Sequence, residues 1–166
     1  MGPRPSENVR VLVRVRPFVP REIDKGDEEV VRNVGERGIQ VIDQKPVGRQ
    51  QTATAYQFDK SFGSSTTQDE IFKQSGVLGL LDHVLEGYSA TVFAYGPTGS
   101  GKTYTITGKP DSINKSGTGD PSDGVVIRSI EALFEKIRAQ STDGHQFKVC
   151  FYAEILACPS PPGHLL

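Results

Sequence analysis

The chain has only two cysteines, Cys150 and Cys158, too few to staple a domain of 166 residues. Their C-x7-C spacing matches no metal-binding pattern, so both read as inert thiols in a reducing compartment. No stretch approaches the roughly 18 uninterrupted apolar residues that a membrane span needs. The opening MGPRPSENVR lacks the apolar segment of a secretory signal. Charge of one sign is lacking too: 19 Lys and Arg stand against 20 Asp and Glu, for a net charge of −1. That excludes a disordered polyelectrolyte. It also removes any bulk attraction to nucleic acid or to a membrane surface, so neither is expected as a partner. With 36 % hydrophobic and 23 % charged residues, the composition is that of one ordinary globular domain with its own core, an intracellular protein or part of one.

Along the chain, the pattern predicts alternating strands and helices. Val9–Arg16, VRVLVRVR, alternates apolar and basic residues and reads as a strand with one buried face, ended by Pro17 and Pro20. Short β-like runs follow at GIQVID (38–43) and TAYQFDKSF (54–62). Residues 65–88 predict one helix: Thr67 and Glu70 make a capping box, Ile71, Leu78, Leu81 and Leu85 share a face, and Gly87 supplies a left-handed stop. Gly76 and Gly79 weaken it by about 1 kcal/mol each relative to alanine, so tertiary packing must hold it. Ala90–Tyr95, ATVFAY, has the composition of a buried parallel strand. The polar segment 109–124 predicts a surface loop, and 126–140 a helix with Ile127, Ile130, Leu133, Phe134 and Ile137 inward. A further strand fits 145–156. This order predicts an α/β fold around a central sheet, with no internal repeat.

Between the ATVFAY strand and the following helix lies Gly96-Pro97-Thr98-Gly99-Ser100-Gly101-Lys102-Thr103, a complete G-x-x-x-x-G-K-[ST] phosphate loop. Phosphate oxygens need several backbone N–H groups aimed into one concavity, which calls for the unusual dihedrals that Gly99 and Gly101 supply. Lys102 brings a point charge to the β- and γ-phosphates, and the Thr103 hydroxyl suits a Mg²⁺ ion. The helix beginning at Lys102 turns its positive end toward the same anion. Phosphoryl transfer also needs an acid on the metal side and a group that positions the attacking water. Neither an apolar strand ending in Asp nor a D-x-x-G motif follows the loop; the nearest acid is Glu154, which reads as an ordinary strand-end glutamate. His83, His145 and His164 are scattered, and no catalytic residue is identified.

Five segments together resemble the kinesin motor domain: VRVLVRVRPFVPRE, FDKSFG, TQDEIF, LLDHVLEGYSATVFAYGPTGSGKTYTITG and DGVVIRSIEALF. They stand in that family's order and spacing over roughly residues 8–156. The resemblance implies a P-loop NTPase core with a central, mostly parallel sheet flanked by helices, binding ATP with Mg²⁺ and working on microtubules in the cytoplasm. By the family's R-x-R-P element, Arg14, Arg16 and Pro17 would lie against adenine and ribose, and Tyr104 would close the other face of the base. A π face opposite a proline ring makes a reasonable base platform.

The departures from the family pattern are also informative. Pro97 stands where the family usually has Gln, and Ile127 where it has Pro before Arg128. After Ile155 the chain reads LACPSPPGHLL and the resemblance stops. The family's nucleotide-sensing switches and main microtubule-binding helices lie beyond that point. The expected organisation is therefore a polar lead-in (1–8), the N-terminal half of a kinesin-like motor domain (9–156) and a Pro-rich atypical tail (157–166). The resulting expectation is the ATP-binding portion of a microtubule motor, with the chain alone deficient in hydrolysis. The alternative is a truncated nucleotide-binding module without motor activity. A small P-loop phosphotransferase is disfavoured, because no basic lid or acceptor acid is evident.

Overall fold

The computed structural model describes residues 9–43, 52–109, 119–140 and 148–150. The lead-in 1–8, most of the loop 109–124, the strand expected at 145–156 beyond residues 148–150, and the tail 157–166 lie outside the described residues. The chain divides into two compact units, Met1–Thr66 and Thr67–Leu166.

In the first unit, β1 (Leu12–Arg14) pairs in parallel with β5 (Lys60–Phe62), with Val13 opposite Ser61. Bonds from the Asp59 N–H to the Val11 carbonyl (3.0 Å) and from the Val15 N–H to the Phe62 carbonyl (2.9 Å) extend the ladder at both ends. The strand is shorter than its alternating pattern because only three residues of β5 are there to pair with it. A helix, α1 (Pro20–Lys25), follows where the sequence suggested only a strand end. Pro20 occupies the first helical position, where its missing N–H costs nothing, and Gly26 closes the helix at φ +72°.

The remaining strands, β2 (Val31–Val34), β3 (Gly38–Ile42) and β4 (Ala53–Gln57), form an antiparallel meander in that spatial order. The two β-like runs seen in the sequence are thus realised, the second divided between β4 and β5 at Phe58–Asp59. Ile39 and Phe62 are buried. Ser61 joins the meander to β5: its hydroxyl accepts from Asn33 Nδ2 (2.7 Å) and reaches the Gly38 carbonyl (3.2 Å), while its N–H donates to the Glu36 carbonyl (2.8 Å).

The second unit carries α2 (Gln68–Gln74), α3 (Val77–Leu85), α4 (Lys102–Ile106) and α5 (Val125–Gln140). The single helix expected over 65–88 is two. Gly76 adopts φ +88°, a left-handed conformation that no helix interior accommodates. Ser75 secures the break, donating from Oγ to the Phe72 carbonyl (3.0 Å) and accepting from the Val77 N–H (3.3 Å). The capping box forms as expected, with the Glu70 N–H on Thr67 Oγ1 (3.2 Å) and the Thr67 N–H on the Glu70 carboxylate (2.8 Å). Gly87, at φ +94°, ends α3. The apolar core gathers Ile71, Phe72, Val77, Leu81, Val125 and Leu133, whereas Leu78 and Leu85 are only half-buried.

In α5 the buried stripe is Val125, Ser129 and Leu133, spaced by four, so the inward face is rotated from the expected one and Phe134 is 52 % exposed. Ser129 tolerates this burial because its hydroxyl donates to the Val125 carbonyl at 2.6 Å.

The strand expected at Ala90–Tyr95 does not form: the segment has no ladder partner, and Phe93 and Tyr95 are 76 % and 84 % exposed. A parallel strand buried on both faces needs strands beside it and layers above and below. No segment among the described residues pairs with it.

Candidate phosphate-binding site

The phosphate loop folds as its sequence requires. Gly99 and Gly101 lie at φ +82° and +92°, where any side chain would be strained, and the loop turns directly into α4. Gly96 lies at φ +155°, and a Cβ there would lie 2.7 Å from Ser100 Oγ, a contact that rotation of the serine relieves. The Ser100 N–H donates to the Pro97 carbonyl at 3.2 Å, which closes the turn. Lys102 folds back over the loop, its Nζ donating to the carbonyls of Gly96 and Pro97 at 2.9 Å each. An ammonium group is thus held against the concavity of the loop. Thr103 and Tyr104 are exposed in the first turn of α4, and Thr98 and Pro97 are exposed at the tip of the loop.

A support behind the loop was not anticipated from the sequence. Gln68, 3 % exposed, donates from Nε2 to the Tyr104 carbonyl (2.5 Å) and the Ser122 carbonyl (3.3 Å). The end of α4 meets the residues before α5 so closely that a Cβ on Gly124 would lie 2.5 Å from the Ile106 oxygen. Residues 120–123 form a tight turn: Asp120 accepts from the Ser122 N–H (2.8 Å) and Oγ (2.6 Å), and Asp123 accepts from the Asp120 N–H (2.9 Å). Arg128 braces this turn, donating from Nε to the Asp123 carbonyl (2.9 Å), and it pairs with Asp69 of α2 at 3.3 Å. Asp69 also takes a 2.7 Å bond from Lys73, which leads in holding its carboxyl below the usual range, aided by the Arg128 charge. The DGVVIR run contains Asp123, Gly124 and Arg128, but nothing in its composition distinguishes a brace from an ordinary helix start.

The base-contacting residues expected in the first unit have other partners within that unit. Arg14 donates to the Thr66 carbonyl at 3.5 Å. Arg16 forms a two-pronged pair with Glu22, one bond being 2.8 Å, and also donates to the carbonyl of the exposed Pro17 at 3.0 Å. Glu22 also holds the start of α1, accepting from the Val19 N–H at 3.0 Å. The guanidinium pushes the Glu22 carboxyl down to about 2.

These residues fit a nucleoside triphosphate with Mg²⁺. A ring of positive-φ glycines and a lysine already seated on loop carbonyls suit phosphate oxygens, and Thr103 offers a hard oxygen ligand at the helix start. Among the described residues, no group of three or more His, Cys, Asp and Glu could hold a metal ion by itself. Also among the described residues, no helix is long and apolar enough to cross a membrane.

Comparisons with known proteins identify the family. The family model of the kinesin motor domain matches residues 14–157. The chain is 36 % identical over 151 residues to the kinesin-like protein KIF22 of Danio rerio, covering 89 % of this chain and 22 % of that protein. It is 36 % identical over 144 residues to the kinesin-like protein KIN-5A of Oryza sativa subsp. japonica, covering 87 % of this chain and 13 % of that one. It thus spans well under two thirds of the curated relatives it matches. Among solved structures it is similar to a fast kinesin described for its ATPase mechanism and interactions with microtubules. That likeness has a TM-score of 0.66 at 33 % identity and covers 81 % of this chain and 34 % of the other. The fold is that of the P-loop NTPases, and with five motifs, the phosphate loop and the family match in agreement, the chain belongs to the kinesin motor domain family.

Proposed function

We propose that this chain is the ATP-binding part of a kinesin-like microtubule motor, in which ATP hydrolysis by the complete protein drives movement along microtubules. The observation that carries this reading is the phosphate loop, with Gly99 and Gly101 in left-handed conformations and Lys102 Nζ 2.9 Å from two loop carbonyls. Loop N–H groups and Lys102 would bind the phosphates, and Thr103 would ligate Mg²⁺. The metal, when bound, neutralises charge on the β- and γ-oxygens. Gly96 to Lys102 form the cradle, while Tyr104, Arg14, Arg16 and Pro17 serve the base and ribose by the family's pattern. Residues 9–156 constitute the motor-domain portion, between the lead-in 1–8 and the tail 157–166. The protein works in the cytoplasm on the microtubule cytoskeleton.

The chain alone binds Mg·ATP without turning it over at a motor's rate, since no strand-terminal Asp and no D-x-x-G follows Thr103 in its sequence. The test is titration of the purified chain with a fluorescent ATP analogue and Mg²⁺, alongside Lys102→Ala. Saturable binding that the substitution abolishes is expected, and absence of saturable binding by the unsubstituted chain refutes the reading. Microtubule-stimulated turnover of about 1 s⁻¹ or more would refute the claim that the chain alone is hydrolysis-deficient.

A further inference from the structure

We infer that Gln68 is a positioning residue for the phosphate loop, setting the pitch of α4 and so the placement of Lys102 and Thr103. This rests on the nucleotide-binding reading above. Gln68 opens α2, a place where a glutamine ordinarily faces water, yet it is 3 % exposed. Its carboxamide bridges two carbonyls, that of Tyr104 in the first turn of α4 and that of Ser122 before α5. The Tyr104 carbonyl also takes the Gly108 N–H at 3.0 Å, so the side-chain bond adds to the helix's own pairing.

The need for such a tie lies in α4 itself. It is five residues long, begins at Gly101 with no side-chain cap, and is far below the about 12 residues at which a helix holds by itself. Its orientation must come from contacts behind it. Gly108 against Gly124 fixes its far end, and Arg128 ties the 120–123 turn to Asp69, the neighbour of Gln68. Gln68 completes the triangle on the Tyr104 carbonyl, which also takes the Gly108 N–H, so it secures the last turn of α4 and through that short helix the pitch of its first residues. The position requires two N–H donors on a side chain of this length. A glutamate there would turn oxygens toward two carbonyl oxygens, and a methionine would fill the space while leaving both carbonyls without that bond.

The test uses the full chain and a fluorescent ADP analogue with Mg²⁺, on Gln68→Glu, Gln68→Met, Lys102→Ala and Lys136→Ala. Lys136 pairs with Asp82 across α5 and α3 at 2.5 Å and serves as a control remote from the loop. Both Gln68 variants are expected to weaken nucleotide binding by about tenfold or more, with Lys136→Ala within about twofold of the unsubstituted chain. Without nucleotide, amide exchange over 104–108 should accelerate by about tenfold in the Gln68 variants while 130–137 stays protected. A role confined to packing α2 would raise exchange over 68–74 instead. If Gln68→Glu does not fold, Gln68→Met decides. The inference is overturned if Gln68→Met binds as the unsubstituted chain does while Lys102→Ala abolishes binding, or if exchange over 104–108 is unchanged. Should Lys102→Ala bind normally, the phosphate-loop reading fails, and the exchange over 104–108 still decides whether Gln68 holds α4.

Discussion

Replacing Gly124 by alanine would bring a Cβ to 2.5 Å from the Ile106 carbonyl oxygen and 2.6 Å from the Gly108 amide nitrogen. Both are backbone atoms, so no rotamer change relieves the contact; α4 and α5 must separate instead. Gly108 cannot yield easily, since it sits at φ +92° and a Cβ of its own would run into the Ser122 carbonyl oxygen. Overpacking of this kind costs about 1–3 kcal/mol, and two backbone neighbours place Gly124→Ala near the upper end. For a chain of this size, about 3 kcal/mol corresponds to a midpoint lowered by roughly 6–12 °C. Thermal unfolding followed by far-UV circular dichroism measures it directly. Gly79→Ala provides the opposite sign in the same helical unit. Gly79 lies inside α3 with nothing within 4 Å of its would-be Cβ, so alanine should stabilise by about 0.5–1 kcal/mol. A Gly124→Ala midpoint within about 2 °C of the unsubstituted chain would refute the reasoning, because it would mean that the two backbones are not in contact.

Further expectations concern the rest of the molecule. Glu22, with its carboxyl at about 2 in the folded chain against an ordinary 4.5, contributes stability that is fully present above pH 4.5 and is lost as pH falls toward 2. Glu22→Gln should flatten that acid-side dependence, which pH-dependent unfolding of the two proteins will show. Leu133, completely buried, should cost about 2–5 kcal/mol as Leu133→Ala, read from a denaturant midpoint with unchanged slope. Pro97→Gln should change ATP affinity by less than about tenfold, since the loop uses the Pro97 carbonyl, which any residue supplies. A larger gain in a fluorescent-ATP titration would show that the missing N–H matters.

What was legible in the sequence was whatever a local rule decides. Gly99 and Gly101 are needed wherever a loop must enter the left-handed region, and the Thr67–Glu70 box works through residues three apart, so both are visible in one dimension. The helix α1 was not, because its N-cap is Val19, which has no capping oxygen; the Glu22 carboxylate instead accepts the Val19 N–H from within the helix. The break at Gly76 was signalled as a weak point in a helix, but the sign of φ at one glycine is settled by packing on both sides. Apolar spacing turns Phe134 inward because it defines a stripe about 100° wide, whereas the buried stripe is the narrower Val125–Ser129–Leu133 row that includes a serine. Ala90–Tyr95 has the composition of a core strand, but pairing is a property of neighbours that no segment carries by itself. The phosphate loop was readable in full, and its support by Gln68 was not, since a buried glutamine at a helix start looks like a solvated one until its acceptors are in place.

The Ser61 junction also bears on the order in which the first unit assembles. The meander joins residues close in sequence, with Val34 opposite Gly38, whereas β1 must find β5 across 48 residues, Leu12 meeting Lys60. Loop closure favours the nearer pairing, so the hairpin should nucleate first and hold Ser61 through Gly38 and Glu36 before β1 arrives. The parallel pair would then dock onto a strand already anchored, rather than close a long open loop. Stopped-flow kinetics would register this as slower folding for Ile39→Val and faster unfolding, with folding little changed, for Val13→Ala; the reverse pattern would put β1 in the nucleus.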